Sequence, residues 1–534
     1  MKKAKARAKT SGKPGPKRKA SPAEDVCLEP RDRSQTILNL STETLVDILH
    51  YLTYIQLVAC HRACKRFRLI IDETKSLKCA IELGAASYDE SPTSTLSVSD
   101  LLGAFHKSQR VYRNPDPKIV RKTLDASGPF SQPWSAYMWE VLGDMFISPM
   151  EDKHKIGVLS LRSDVADEDR ARIMTFPHEI ESFGVDRSQD LLATYVEEEH
   201  SLYFFSLKDG LVHSKATGLA NGGFPCVKNF EVRFGPDLTF CGDWLLAQFR
   251  CKYGDGNVIC LYHWPTGTLK RQWISEGYLS LDKDHILYFP GCFARGHLFI
   301  PFQNQSLFQI HVHRLPSADP VKDPVVQIAS YGFPDRDTSS RYVPNIRPVD
   351  STFSHDFRPA FSMLQLTFGS APPIFISMDA FKSAFDIKEL KSRHKAISIP
   401  WEHWGPKHTR VVEKYGELRA FGRRVVYQDS ILDFNPYDLA NDVYGPTLSR
   451  GRALRNTGDD YSGVVRVAQS TLPDDVGFPE PLNTALPYRK THLNVPIVKQ
   501  NNCFSVFEED GIPKFVRIVF AASGTPKYLH FITL

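Results

Sequence analysis

Apolar residues Leu45, Ile48, Leu49 and Leu52 recur at the i, i+3, i+4, i+7 spacing of one helix face, which predicts a short amphipathic helix. Ser41 stands where its hydroxyl can accept an orphan backbone N–H as the N-cap, and Glu43 meets the positive end of the helix dipole. A second stripe, Leu57, Cys60, Cys64, Phe67 and Ile71, predicts a second helix, with Arg62, Lys65, Arg66 and Arg68 mostly on its other faces. A third is expected over about residues 76–83, stopping at Gly84, which suits a left-handed cap. Val98, Leu101, Leu102 and Phe105 predict a fourth. The reading is three compact helices over 34–82 and a helical connector over 83–133.

From about Trp134 the pattern changes to short apolar segments separated by Gly, Pro, Asp and Asn, as in sandwiches, barrels and propellers. Two segments look alike. One runs from Asp190 through Ser201 to Gly210, the other from Asp243 through Val258 to Gly267. Each reads as a hairpin ending in a glycine turn, and the two glycines lie 57 positions apart, near the upper end of propeller blade periods. His297–Phe302 and Ser306–His313 read as a third hairpin. An all-β repeat over 134–534, propeller-like, is therefore expected. The Pro/Asp/Gly-rich stretches 316–357 and 437–486 are expected as long surface loops.

Charge changes the picture at one end only. Nine of the first 20 residues are Lys or Arg and none is acidic, so 1–33 reads as a disordered basic tail. That tail carries more than the whole formal excess of +5; the body is slightly acidic and lacks the positive field of a nucleic-acid-binding domain. A mean hydropathy of −0.29 and the absence of long apolar runs argue against a membrane span. The first residues have no apolar signal core, which predicts an intracellular protein. Ten cysteines without a C-x-x-C pair fit reduced thiols.

The stretch from Ile37 through Arg68 resembles an F-box. Leu40 and Glu43 match its opening, Leu45, Ile48 and Leu52 its first helix, Leu57 the apolar position after the turn, and Cys64 and Phe67 the closing segment. Ser41 stands where the family usually has proline, and Gln56 where it usually has aspartate. Blocks around Trp401–Arg410, Phe421–Val426, Asp433–Tyr437 and Leu486–Arg489 are similar to those of large F-box proteins of mushroom-forming fungi. The resemblance implies a non-catalytic substrate receptor of an SCF-type cullin–RING ubiquitin ligase. The resemblance implies docking on a Skp-type adaptor through Leu40, Ser41, Leu45, Ile48, Leu49, Leu52, Leu57, Cys64 and Phe67, and through the adaptor contact with cullin and RING subunits. The β domain would bind an unknown target protein.

Other constellations carry less. Cys60-His61 with Cys64 offers three donors and no fourth, so small-hydrophobe packing is the expectation, with no metal and no cofactor. Gly254-Asp255-Gly256 opens no helix and reads as a hairpin turn, and Glu197–Glu199 as a solvated turn. Trp401 and Trp404 are either a recognition patch or buried aromatic packing. Two rival functions stand beside the receptor: a propeller hydrolase, which carboxylates in the central channel would favour, and a basic-tailed nucleic-acid-associated factor. Lys2-Lys3 and Lys17-Arg18-Lys19 resemble a two-cluster nuclear import signal, so cytoplasmic and nuclear placement are both expected, with a lean to the nucleus.

Overall fold

The computed structural model describes residues 37–85, 88–90, 96–113, 118–124, 128–135, 138–226, 232–251, 257–275, 286–294, 296–304, 307–316, 323–334, 344–348, 357–359, 363–368, 371–385, 396–412, 418–421, 424–427 and 430–434. Toward the C-terminus it describes 462–465, 470–471, 483–484, 486, 488–492, 503–509, 512–521 and 525–533. The basic tail and the Gly254–Gly256 turn lie outside these residues.

The first helix, α1 (Thr42–His50), starts at Ser41, whose Oγ accepts the Thr44 N–H at 3.3 Å. Helix α2 (Tyr54–Ala63) opens with a capping box. Gln56 Oε1 accepts the Thr53 N–H at 2.9 Å while Thr53 Oγ1 accepts the Gln56 N–H. The two departures from the F-box pattern, Ser41 and Gln56, are thus both capping residues. The expected second helix is two. Cys64 is extended, at φ −155° and ψ 161°, and its Sγ accepts the Phe67 N–H to cap α3 (Lys65–Glu73). The apolar stripe ran through this break because α2 and α3 face the same core. Helix α4 (Lys75–Ala85) contains Gly84 rather than ending on it. A Cβ there would stand 2.6 Å from Tyr54 Cβ, so glycine serves the close approach of α4 to α2. Helix α5 (Val98–Arg113) follows.

Beyond the helices the described residues form seven sheets of four to six strands, nearly all antiparallel and following one another along the chain. Blade 1 spans strands from Glu140 to Thr175, blade 2 from Ser182 to Pro225, blade 3 from Val232 to Ile274. Blade 4 takes strands from Ile286 to Gly332 and adds Ile397–Ile399 in parallel; blade 5 takes strands between Pro344 and Val411. Blade 6 is built between Leu418 and His492. Blade 7 is formed by Cys503–Glu509, Ile512–Phe520 and Pro526–Thr533, with Lys118–Thr123 as its fourth strand.

Period-two alternation explains why these strands are buried on both faces. In blade 3, Leu245, Ala247 and Phe249 pack toward blade 2, while Trp244 and Leu246 pack toward blade 4. In blade 1, Phe146 faces blade 7 and Ile147 faces blade 2. Similar layers lie between blades 4 and 5 and between blades 5 and 6. Blades 1 to 5 are each sandwiched by their neighbours, blade 7 packs on blade 1, and pairing of the earliest strand, Lys118–Thr123, with the last, Pro526–Thr533, completes blade 7 in a β-propeller.

The three sequence-predicted hairpins are the central strand pairs of blades 2, 3 and 4. Three boundaries are corrected. The β domain starts in sequence at Lys118, inside the expected connector, because its closing strand is supplied by the N-terminal side. The expected loop 316–357 contains blade strands Val326–Gly332 and Pro344–Pro348. The expected loop 437–486 contains Ser462–Val465, which pairs with Tyr488–His492 at the edge of blade 6.

Candidate functional site

Two places carry potential for binding. The first is the helical domain. Its core is complete without a partner: Leu45, Leu49, Leu57, Ile70, Ile71 and Leu77 are buried against one another. Leu45, Leu49 and Leu57 therefore cannot form the adaptor-facing surface proposed for them. Leu45 and Leu49 on α1 and Leu57 on α2 turn inward because a four-helix module needs them to fold. Leu52, Cys64 and Phe67 are half-buried, packed at the margin or capping α3. Leu40, Ser41 and Ile48 are exposed.

Sequence spacing missed the residues that are open. Tyr51 is 91% exposed, Ile55 62% and Ile37 53%, with Leu40 and Ile48 beside them on the lead-in and on α1. Ile48 and Tyr51 are three apart at the C-terminal turn of α1, hence neighbours on its outer side. Arg66 Nη2 donates to the Leu40 carbonyl at 2.6 Å and ties the lead-in to α3. Glu43 is held below the usual carboxylate range by backbone N–H and the Ser41 hydroxyl at the helix start. The signal that could have found the outer face was the apolar excess itself. One stripe fills the core, so the apolar side chains off that stripe, Tyr51 and Ile55, are surplus.

The second place is the central channel. A cavity of about 980 Å³ is lined by the inner edges of blades 1 to 5. It holds the carboxylates Glu140, Glu181, Glu197 and Asp237 and the guanidinium groups of Arg250 and Arg347, over an apolar wall that includes Trp139 and Phe183. Glu181 is paired with Lys153 at 2.6 Å and Asp237 with Arg250 at 3.7 Å. Gln248 bridges blades 3 and 4 in the wall, donating to the Gly291 carbonyl and accepting its N–H at 2.6 Å. Among the described residues no group of three or more His, Cys, Asp or Glu is placed to hold a metal ion.

Trp401 and Trp404 sit in the core between blades 4 and 5, and Trp404 Nε1 donates to the Gly332 carbonyl at 3.1 Å; packing, not recognition, is their role. Glu199, in the turn between blade 2 strands, accepts from the Tyr203 hydroxyl. No described helix is long and apolar enough to cross a membrane.

Residues 38–78 match the F-box-like family model. No curated protein matches the chain. Among solved structures, the chain is similar to Hsv2 from Kluyveromyces lactis at 10% identity, covering 75% of this chain and 98% of that one, with a TM-score of 0.35. It is similar to the WD40 domain of SCAP from fission yeast at 11% identity, over 78% and 98% of the two chains, with a TM-score of 0.30. A second Kluyveromyces lactis Hsv2 structure, with a complete loop 6CD, is matched at 11% identity and a TM-score of 0.26 over 36% of this chain; the match spans 61% of that chain's length. The chain carries an F-box-like domain followed by an all-β propeller domain.

Proposed function

We propose that the chain is a non-catalytic substrate receptor of an SCF-type cullin–RING ubiquitin ligase. The observation that carries the reading is the F-box-like domain at 38–78, whose closed core leaves Leu40, Ile48, Tyr51 and Ile55 in water. Each such side chain gains about 1.5–3 kcal/mol on full burial, before association costs. These residues, with Ile37 and Ser41, form the Skp-adaptor face in this reading. Leu45, Leu49 and Leu57 act only by holding the helices that present it. The propeller binds the target, and ubiquitin transfer is performed by other subunits, with proximity as this chain's contribution.

Affinity purification of the chain with and without residues 34–82 tests this. Adaptor and cullin co-purify only with the longer form; equal recovery with both forms overturns the reading.

The hydrolase reading draws on one observation, the channel carboxylates. Glu181 and Asp237 each face a cation in the ion pairs described above, an arrangement suited to a polar wall more than to proton transfer. For the tail we propose a role in nuclear import, which equal localisation of the full chain and a chain lacking residues 1–20 would contradict.

A further inference from the structure

A buried charge lies where the helical domain meets the propeller. Arg424, in the second strand of blade 6, is 3% exposed and donates from three nitrogens to three acceptors. Nε donates to Asp433 Oδ2 at 2.8 Å, within its own blade. Nη1 donates to the Tyr88 hydroxyl at 2.9 Å, and Nη2 to Gln109 Oε1 at 3.2 Å. Tyr88 and Gln109 belong to the N-terminal helical region, more than three hundred residues away in sequence.

The acceptors are themselves fixed. The Tyr88 ring packs edge-on against Phe105, with centroids 5.6 Å apart, in a core with Cys79, Leu83 and Leu101 that joins α4 to α5. Gln109 is on α5 and buried. The strand Tyr88–Glu90 pairs antiparallel with Phe357–Pro359, a segment lying between strands of blade 5. Helix α5 also packs against Ile512–Phe520 of blade 7 before the chain enters the closing strand. Blades 5, 6 and 7 thus all touch the connector.

A buried ion pair is poor evidence of net stability, since apolar residues of similar volume often do as well. What it supplies is geometry. The planar guanidinium serves three acceptors in one plane, which a lysine cannot do. Truncating Tyr88 or Gln109 leaves the intrablade pair with Asp433 intact and removes only the link between domains.

We propose that Arg424 is a positioning residue: it locks Tyr88 and α5 onto blade 6, so that the helical docking domain and the propeller move as one body. Resting on the receptor reading, this sets a fixed offset between the adaptor and whatever the propeller holds. Without it, the two domains remain joined by the strand pairing at 88–90 and by α5 on blade 7, but with rotational play.

The test is hydrogen exchange on the full chain, comparing wild type with Tyr88→Phe/Gln109→Leu and with Gln109→Glu. Losing two hydrogen bonds to a buried cation predicts about tenfold or more faster exchange across 88–90 and α5 in the double variant. Exchange in Leu191–Val196 and in α1 stays at the wild-type rate. Gln109→Glu keeps an acceptor for Nη2 and retains slow exchange. Unchanged exchange in α5 overturns the proposal, and so does equal acceleration in Leu191–Val196, which would make the contacts merely part of global stability. Electron micrographs of the adaptor-bound complex give the second readout. Wild type shows one orientation of adaptor against ring and the double variant a spread; a single orientation in both contradicts the positioning role. Failure of wild type to bind an adaptor would sink the receptor reading and leave the exchange result to decide the lock.

Discussion

Ile48 and Leu49 are adjacent and do different work. Leu49 is 2% exposed in the helical core, and Ile48 looks outward at 36%. A carboxylate at Leu49 would be stranded in an apolar interior, so Leu49→Asp should cost several kcal/mol and melt the helical domain. Ile48→Asp lies on the surface and should leave the melting temperature within a degree or two of wild type. Circular dichroism melts of the two variants check this; equal destabilisation would show that the burial pattern is wrong. A second residue-scale consequence concerns pH. His311 and His313 lie on blade 4 beside Arg271 of blade 3, and neither ring nitrogen of His313 has a partner among the described residues. Burial, with Arg271 adding repulsion, lowers His311 from 6.5 to about 4 and His313 well below the usual value. The unfolded chain then binds protons that the folded chain refuses. Stability is full above about pH 6.5 and falls as pH drops toward 4, on the order of a few kcal/mol. Denaturant midpoints between pH 7 and 4.5 should fall in wild type and fall less in His311→Asn/His313→Gln; parallel curves would contradict the assignment.

Elements show what a single sequence reveals. The alternation in the hairpins of blades 2, 3 and 4 was legible because each strand pair is local, and those of blades 2 and 3 end in glycine turns at Gly210 and Gly267, both at positive φ. Helix α1 was legible for the same reason, its cap and stripe lying within a dozen residues. The break at Cys64 was not, since neither Gly nor Pro marks it and the core-facing stripe continues through it. The closing strand Lys118–Thr123 was hidden too. Its partner is some four hundred residues away, and most of its side chains are exposed, so it shows no apolar alternation. Periodicity grouped the buried Leu45 and Leu49 with the exposed Ile48, because it marks an apolar face without saying whether that face covers the domain's own core or stays open. Chain closure makes a prediction at this scale. A chain beginning at residue 37 keeps the closing strand and should elute as a monodisperse species. One beginning at residue 125 leaves the edge of Pro526–Thr533 unpaired and should aggregate. Similar elution of both would show that the ring does not depend on that strand.

The whole molecule joins a small helical domain with surplus apolar surface to a large ring with a polar channel, through a connector that also supplies the ring's last strand. A deletion that runs past residue 117 takes the closing strand with it and should damage the propeller, while point changes on the outer face of the helical domain should not. That asymmetry separates docking from folding. The most direct test of the receptor account is titration calorimetry of the purified full chain with a Skp-type adaptor, using wild type, Ile48→Asp/Tyr51→Asp, and Leu269→Asp as an exposed control on blade 3. The account predicts saturable one-to-one binding by wild type and by the control, weakened at least about a hundredfold in the Ile48/Tyr51 variant, whose melting temperature stays unchanged. Absence of binding by wild type, or undiminished binding by the folded Ile48/Tyr51 variant, would contradict it.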